Sequence, residues 1–468
     1  MSYYDGFGDF GDRLAAVSAE GNSVTYAELA VFAKKIGELV PARSLVFSLC
    51  RNVIGSMAGY LGFLNNRIVP LMLDANINEV LLSNLTEIYC PQYLWVPEDL
   101  AEKYASMEML YEAYGYKLFK TGFSTKYPLY EDLALLLTTS GSTGSPKLVR
   151  QSYANIQSNA KAIVRYLEIT EQERPVTTLP MNYTYGLSVV NSHVLAGATI
   201  LLTEHPIVSK AFWDFMKEER ATSFGGVPYT YEMLKRVKFF RMDLPYLKTF
   251  TQAGGKLSPE LHKEFAEYAL EKDKRFVVMY GQTEATARMA YLPYDMALKK
   301  YGSMGIAIPG GKFTLVDVDG NAITEPELVG ELVYEGDNVT LGYAECGADL
   351  QKGDERGGRL ETGDMAKQDA DGYYYIVGRK KRFLKLFGNR VNLDEIDRMV
   401  KGAFEDVDCA STGTDELMKV YITNVAYVNQ VENLIEERTH INNRVFEVQV
   451  IDKIPRNEAG KTLYKDLP

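Results

Sequence analysis

The sequence predicts an α/β protein: a large N-terminal domain of parallel α/β sheets plus a small β-region, followed by a small mobile α+β C-terminal domain. Three observations carry that expectation. Short apolar runs alternate with segments of helical periodicity as far as Gly302, and strand–helix–strand in that rhythm builds parallel βαβ units. Run after run ends in a polar, Gly-containing loop, and ligands of parallel sheets bind at the carboxyl ends of their strands. Beyond Gly302, strands are separated by turns such as Asp319-Gly320 and Asp371-Gly372, the spacing of antiparallel β-structure.

The elements follow in order. Thr25 is placed to cap a helix, with Glu28 three residues on. Residues 44–49 and 68–73 read as short apolar strands around an amphipathic helix at 54–64. Residues 133–137 form another apolar run, then a polar loop, then a helix over 152–167. Residues 198–202 read as a strand, 222–227 as a strand ending in a turn at Pro228, and 247–252 as a strand. Ser258 and Pro259 supply the N-cap and first turn of the next helix. Residues 275–280 form one more strand. The spacing then predicts strands at 313–318, 330–334 and 373–377, and a tail with helices at 394–402 and 430–439 and strands at 419–425 and 446–451.

At 468 residues the chain exceeds one ordinary core. The basic run Arg379-Lys380-Lys381-Arg382 marks the expected boundary between residues 1–378 and 379–468. A formal net charge of −11 argues against a general nucleic-acid binder. The 4 cysteines lack C-x-x-C spacing and the 4 histidines lie far apart, so neither a disulfide framework nor a zinc site is expected. No apolar stretch reaches membrane-spanning length, and the N-terminus shows no signal-peptide pattern. These features describe a soluble protein of a reducing, cytoplasmic compartment.

The stretch 133–147, LALLLTTSGSTGSPK, runs from a buried strand into a loop dense in glycine and hydroxyls. Backbone N–H groups and the hydroxyls of Thr139, Ser140, Ser142 and Thr143 can surround an anion, Gly141 and Gly144 let the backbone approach it, and Lys147 adds positive charge. Alone, the stretch also reads as a surface turn. It is not a Walker A motif, which ends in Gly-Lys-Ser/Thr, nor a dinucleotide Gly-x-Gly-x-x-Gly fingerprint.

Seven further motifs follow in sequence: LPMNYTYG (179–186), AGGKLSPEL (253–261), YGQTEAT (280–286), GELVYEGDNVTLGY (330–343), ETGD (361–364), GRKKRFLKLFGNRV (378–391) and PRNEAGK (455–461). With the Lys147 loop, their order resembles the adenylate-forming enzyme superfamily: acyl-CoA synthetases, nonribosomal peptide synthetase adenylation domains and beetle luciferases. Two departures stand out. Ser142 occupies a usual threonine position, and Leu148 follows Lys147 where glycine is common.

The resemblance implies ATP-dependent activation of a carboxylic acid to an acyl-adenylate, then transfer to a pantetheine thiol. ATP, Mg2+ and coenzyme A are the implied cofactors, with a separate acyl carrier protein as the alternative acceptor. Thr139 to Gly144 and Lys147 would hold phosphates. Glu284 would bind magnesium and Thr283 the α-phosphate. Gly254, Gly255, Lys256, Tyr280, Gly281 and Gln282 would form the nucleotide site, and Asp364 and Arg379 would hold the ribose. Lys461 would reach the reacting carboxylate and α-phosphate, and Lys381 would be the hinge. Tyr183, Tyr185 and Val227 would border the acid. Amino-acid-activating relatives carry Asp where this chain has Thr184, so an acid without an α-amino group is expected. A nucleotide-binding member without ligase activity, or a luciferase-like oxygenase, are the other readings.

Overall fold

Leu45–Cys50 and Val69–Asp74 pair in parallel, as apolar runs covered by helices on both faces do. The computed structural model to which they belong describes residues 2–124, 127–138, 147–386, 389–404, 406–414, 416–439, 441–456 and 462–468. Two compact units divide the described residues. One takes in the chain through Lys312 together with Tyr334–Leu360, and the other holds Phe313–Val333 and Glu361–Pro468. The expected boundary at residue 379 falls inside the second unit, where the strand Tyr374–Arg379 ends.

The first unit contains an eight-stranded and a nine-stranded sheet. In the eight-stranded sheet, Leu133–Thr138, Val69–Asp74, Leu45–Cys50 and Tyr93–Pro97 form the parallel centre. In the other, the parallel centre includes Ser223–Gly226, Thr249–Gln252 and Arg275–Tyr280. Antiparallel strands flank both centres. Side chains alternate as strand geometry requires. Val46 and Met72 face a core shared with the helices Tyr26–Leu39, Ile54–Asn65, Tyr153–Leu167 and Thr184–Leu195. Phe47 and Leu71 face the opposite way, onto Leu85 and Tyr89 of the helix Glu79–Tyr89.

The predicted capping groups act as read: Thr25 with Glu28 forms a capping box, and Ser258 accepts from the Leu261 N–H ahead of Pro259. Two elements differ from expectation. Pro228 opens the helix Pro228–Arg236 rather than ending in a turn, because a missing N–H goes unused in a first helical turn. The strand Leu148–Ser152 precedes the helix at Tyr153 and runs antiparallel to Leu133–Thr138. Its Arg150 looks like a surface residue but is fully buried, paired with Glu355 and donating to the carbonyls of Tyr343 and Leu341.

A five-stranded sheet, most of whose residues belong to the second unit, includes Arg359–Gln368 and Tyr374–Arg379. A three-stranded sheet of Cys409–Gly413, Met418–Ile422 and Phe446–Val450 packs through Val420 and Ile422 against Ile396, Val400, Val431 and Ile435 of two helices. Among the described residues no helix is long and apolar enough to cross a membrane.

Two buried histidines make the fold acid-sensitive. Burial brings His193 and His262 each down to about 4. Unfolded, both titrate near 6.5. Between those values the unfolded chain binds the extra protons, so stability falls as pH drops from 6.5 towards 4. Each histidine contributes on the order of 3 kcal/mol to that loss. Urea midpoints measured at stepped pH should decline across this window, and the double variant His193→Gln, His262→Gln should flatten the decline.

Candidate active site

Three parallel strands end side by side. Gly226 is in register with Gln252, and Gln252 with Val278. Buried Gln252 donates through Nε2 to the carbonyls of Ala253 (3.2 Å) and Gly255 (2.9 Å), shaping the turn that carries Gly254, Gly255 and Lys256. Gly254 has φ +80°, and a Cβ there would stand 2.7 Å from the Tyr183 hydroxyl and 3.0 Å from Val227 Cγ1. Only glycine meets both demands. The Tyr185 hydroxyl shares a 2.7 Å hydrogen bond with Thr251 Oγ1, and its ring lies 6.4 Å from that of Tyr183. Tyr183, Tyr185 and Val227 thus pack in one apolar cluster with Leu179, Ala253 and Met279. Burial pushes both phenols up to about 12.

Half-buried Tyr280 closes its strand, and Gln282 Nε2 donates to its hydroxyl at 3.2 Å. Gly281 follows, where a Cβ would fall 1.5 Å from the Ala287 carbonyl oxygen. The loop therefore folds back tightly, with Thr283–Ala285 forming a 3-10 turn. The Glu284 carbonyl accepts from Thr340 N, Thr340 Oγ1 and Arg356 Nη1, each at 3.0 Å. Its carboxylate Oε1 accepts from the Tyr343 hydroxyl at 2.7 Å. Burial, and then the Glu284 charge, raise that phenol to about 12, so it stays a donor. Lys147 Nζ stands 3.7 Å from the Tyr343 ring centroid and Arg356 Cζ 4.7 Å from it. Lys147 also pairs with Glu345 at 3.5 Å. One tyrosine therefore gathers an oriented carboxylate and two cations.

Among the described residues no cluster of three or more His, Cys, Asp or Glu could hold a metal. Magnesium needs none, since it binds through one or two carboxylates with substrate phosphates and water. Glu284 fits that role: Tyr343 holds Oε1, and Oε2 has no protein partner among the described residues.

Asp364 and Arg379 lie in the second unit. They face each other across paired strands, and Arg379 Nε stands 2.6 Å from buried Asp364 Oδ1. Lys381 occupies the 3-10 turn Lys380–Arg382, and its side chain lies outside the described residues. So do Thr139, Ser140, Gly141, Ser142, Thr143, Gly144 and Lys461.

The family model described as "AMP-binding enzyme" matches residues 7–344. The chain belongs to that family. It is the adenylate-forming superfamily that the motif order resembles. Among curated relatives, this AMP-binding enzyme is 30% identical over 347 residues to an indoleacetate–CoA ligase of Aromatoleum aromaticum, covering 71% of this chain and 66% of that one. It is 24% identical to a 2-succinylbenzoate–CoA ligase of Oceanobacillus iheyensis, over 97% of this chain and 96% of that one. In fold it matches the O-succinylbenzoate coenzyme A synthetase of Bacillus subtilis in complex with ATP and magnesium, with a TM-score of 0.81, 21% identity, and coverage of 100% and 99%.

Sequence reasoning about this AMP-binding enzyme assigned no role to Asn338, Tyr343 or Arg356, although the first two lie inside the 330–343 motif. Buried Asn338 donates through Nδ2 to the carbonyls of Ala285 (2.8 Å) and Arg288 (3.2 Å), and accepts from the Tyr334 hydroxyl at 2.8 Å. Asn159 donates to the same Arg288 carbonyl at 2.8 Å. These amides hold the Glu284 loop from behind. The signal in the sequence is the polar Asp337-Asn338 pair just after the apolar strand Val329–Glu335.

Proposed function

We propose that this AMP-binding enzyme is an ATP-dependent, AMP-forming acid–thiol ligase that activates a carboxylic acid and passes it to coenzyme A. The observation that carries the reading is the Tyr343 assembly, with Lys147 and with Glu284 on the loop that follows the strand Arg275–Tyr280, together with the apolar cluster of Tyr183, Tyr185 and Val227. In the first step a carboxylate oxygen of the acid attacks the α-phosphorus of ATP and pyrophosphate leaves. In the second, a thiol sulfur attacks the acyl carbon, AMP leaves and the thiol proton is lost. The first step brings two anions together, so it needs positioning and positive charge more than covalent help.

Lys147 and the hydroxyl-rich residues Thr139 to Gly144 grip the departing pyrophosphate. Thr283 donates to the α-phosphate. Glu284 holds the magnesium ion, which when bound neutralises phosphate charge. Gly254, Gly255, Lys256, Tyr280, Gly281 and Gln282 border the base, and Asp364 with Arg379 holds the ribose hydroxyls. Lys461 stabilises the reacting carboxylate and phosphate. Rotation about Lys381, between residues 1–378 and 379–468, exchanges the groups facing the acyl centre between the two steps. Thr184 leaves a substrate ammonium without a carboxylate partner, so the acid carries no α-amino group.

Coenzyme A is the favoured acceptor because the relatives' names specify it, while carrier-protein phosphopantetheine presents the same thiol. The four cysteines are free thiols, which supports a reducing, cytoplasmic compartment. An acid panel read by pyrophosphate release, with coenzyme A, with a carrier protein and with neither, tests the reading. Thioester should form only with a thiol acceptor and a cognate acid. Failure of every acid to release pyrophosphate would leave a nucleotide-binding protein without ligase activity.

A further inference from the structure

Arg288 is a buried charge that the ligase chemistry leaves unused. It follows the Glu284 loop and is 3% exposed. Nε donates to Ser188 Oγ at 3.1 Å, and Nη1 donates to the Tyr166 hydroxyl at 3.2 Å and to Met279 Sδ at 3.4 Å. Its Cζ stands 5.1 Å from the Tyr185 ring centroid. Every one of these partners is neutral. Among the described residues no carboxylate pairs with Arg288, and Nη2 has no hydrogen-bond partner. Two other deeply packed arginines are neutralised: Arg150 by Glu355, and Arg382 by Asp394 at 2.5 Å and Asp397 at 2.7 Å. Burying a guanidinium without a counter-charge is strongly unfavourable, so the unmatched charge at Arg288 calls for a partner from outside the chain.

The surroundings show where that partner enters. Arg288 lines a small cavity of about 30 Å³, together with Val189, His193, Gly225 and Thr251. Gly225 and Thr251 touch Tyr185 from the other side, so this cavity adjoins the acid cluster. Its one carboxylate, Glu173, is taken up by Thr222 and Lys248. His193 Nδ1 is hydrogen-bonded to the Val189 carbonyl at 2.8 Å. The neutral ring thus donates there and keeps Nε2 as an acceptor. The Arg288 cation and the Thr251 hydroxyl suit a polar, anionic group rather than a hydrocarbon tail.

We propose that the acid activated by this enzyme carries a second anionic group, a carboxylate or a group of like charge, which pairs with Arg288 at the far end of the acyl pocket. This rests on the ligase reading. The test compares straight-chain and aromatic monocarboxylic acids with their dicarboxylic counterparts of equal length, by pyrophosphate release. Wild-type kcat/KM should favour the cognate diacid over its neutral counterpart by about ten-thousandfold, the scale on which a site built to pair a polar group rejects its absence. Arg288→Met should reverse that preference, and Arg288→Lys should keep part of it, since the charge remains without the planar fork. Turnover of neutral acids only, or an unchanged ratio in Arg288→Met, overturns the proposal and leaves the ligase reading standing. No pyrophosphate from any acid overturns both. If neither variant folds, the wild-type ratio decides alone.

Discussion

Replacement of Lys461 by alanine should slow acyl-adenylate formation by roughly two to three orders of magnitude, the scale for losing one preorganised charge-stabilising donor. Thioester formation from preformed acyl-adenylate should survive. The asymmetry follows from where charge builds up. In the first step the attacking carboxylate oxygen and the α-phosphate oxygens are all anionic, so a fixed ammonium between them lowers the barrier directly. In the second step a thiol attacks a neutral acyl carbon and AMP departs, so the same lysine has less to stabilise. Single-turnover assays of the two half-reactions separate these effects. Equal losses would make Lys461 a structural residue, and no loss in either would remove it from the site.

Capping groups, apolar runs and turn residues are local, and they were legible in the sequence. Thr25 with Glu28, and Ser258 with Pro259, depend only on neighbours a turn away. The strand Leu148–Ser152 was hidden because Arg150 is neutralised by residues some two hundred positions on, through Glu355 and the backbone of 341–353. The site shows the same division. Motif order and strand ends brought Tyr183, Tyr185, Val227, Gly254 and Tyr280 to light, since each stands at a recognisable strand end, turn or helix start. Tyr343 and Arg356 act by reaching across to the Glu284 loop, a contact between distant segments that spacing does not encode. Arg288 in a sequence is an ordinary charged residue. Only packing shows that it is buried among neutral partners, and that observation is the one that speaks to substrate.

Glu284→Gln should lower kcat/KM for pyrophosphate release by about a hundredfold, or roughly 2.7 kcal/mol of transition-state stabilisation, and should raise the magnesium concentration needed for half-maximal rate. The substitution keeps the shape of the side chain, and an amide oxygen can still accept from Tyr343. The loop should therefore hold its place through the three bonds to the residue 284 carbonyl. What is lost is the negative charge that a hard cation requires. Tyr343→Phe makes the complementary change: the charge stays and its orienting donor goes. Removing a group that orients a metal-binding carboxylate weakens affinity or activity by about tenfold or more, so Tyr343→Phe should show a smaller rate loss and a shifted magnesium dependence. Phenylalanine retains a ring for Lys147 and Arg356 to stack on, so the cation contacts at 3.7 and 4.7 Å should persist. A magnesium titration of both variants decides the matter. If Glu284→Gln and wild type give superimposable curves, Glu284 is a solvated carboxylate at the start of a turn, and the ion is held elsewhere.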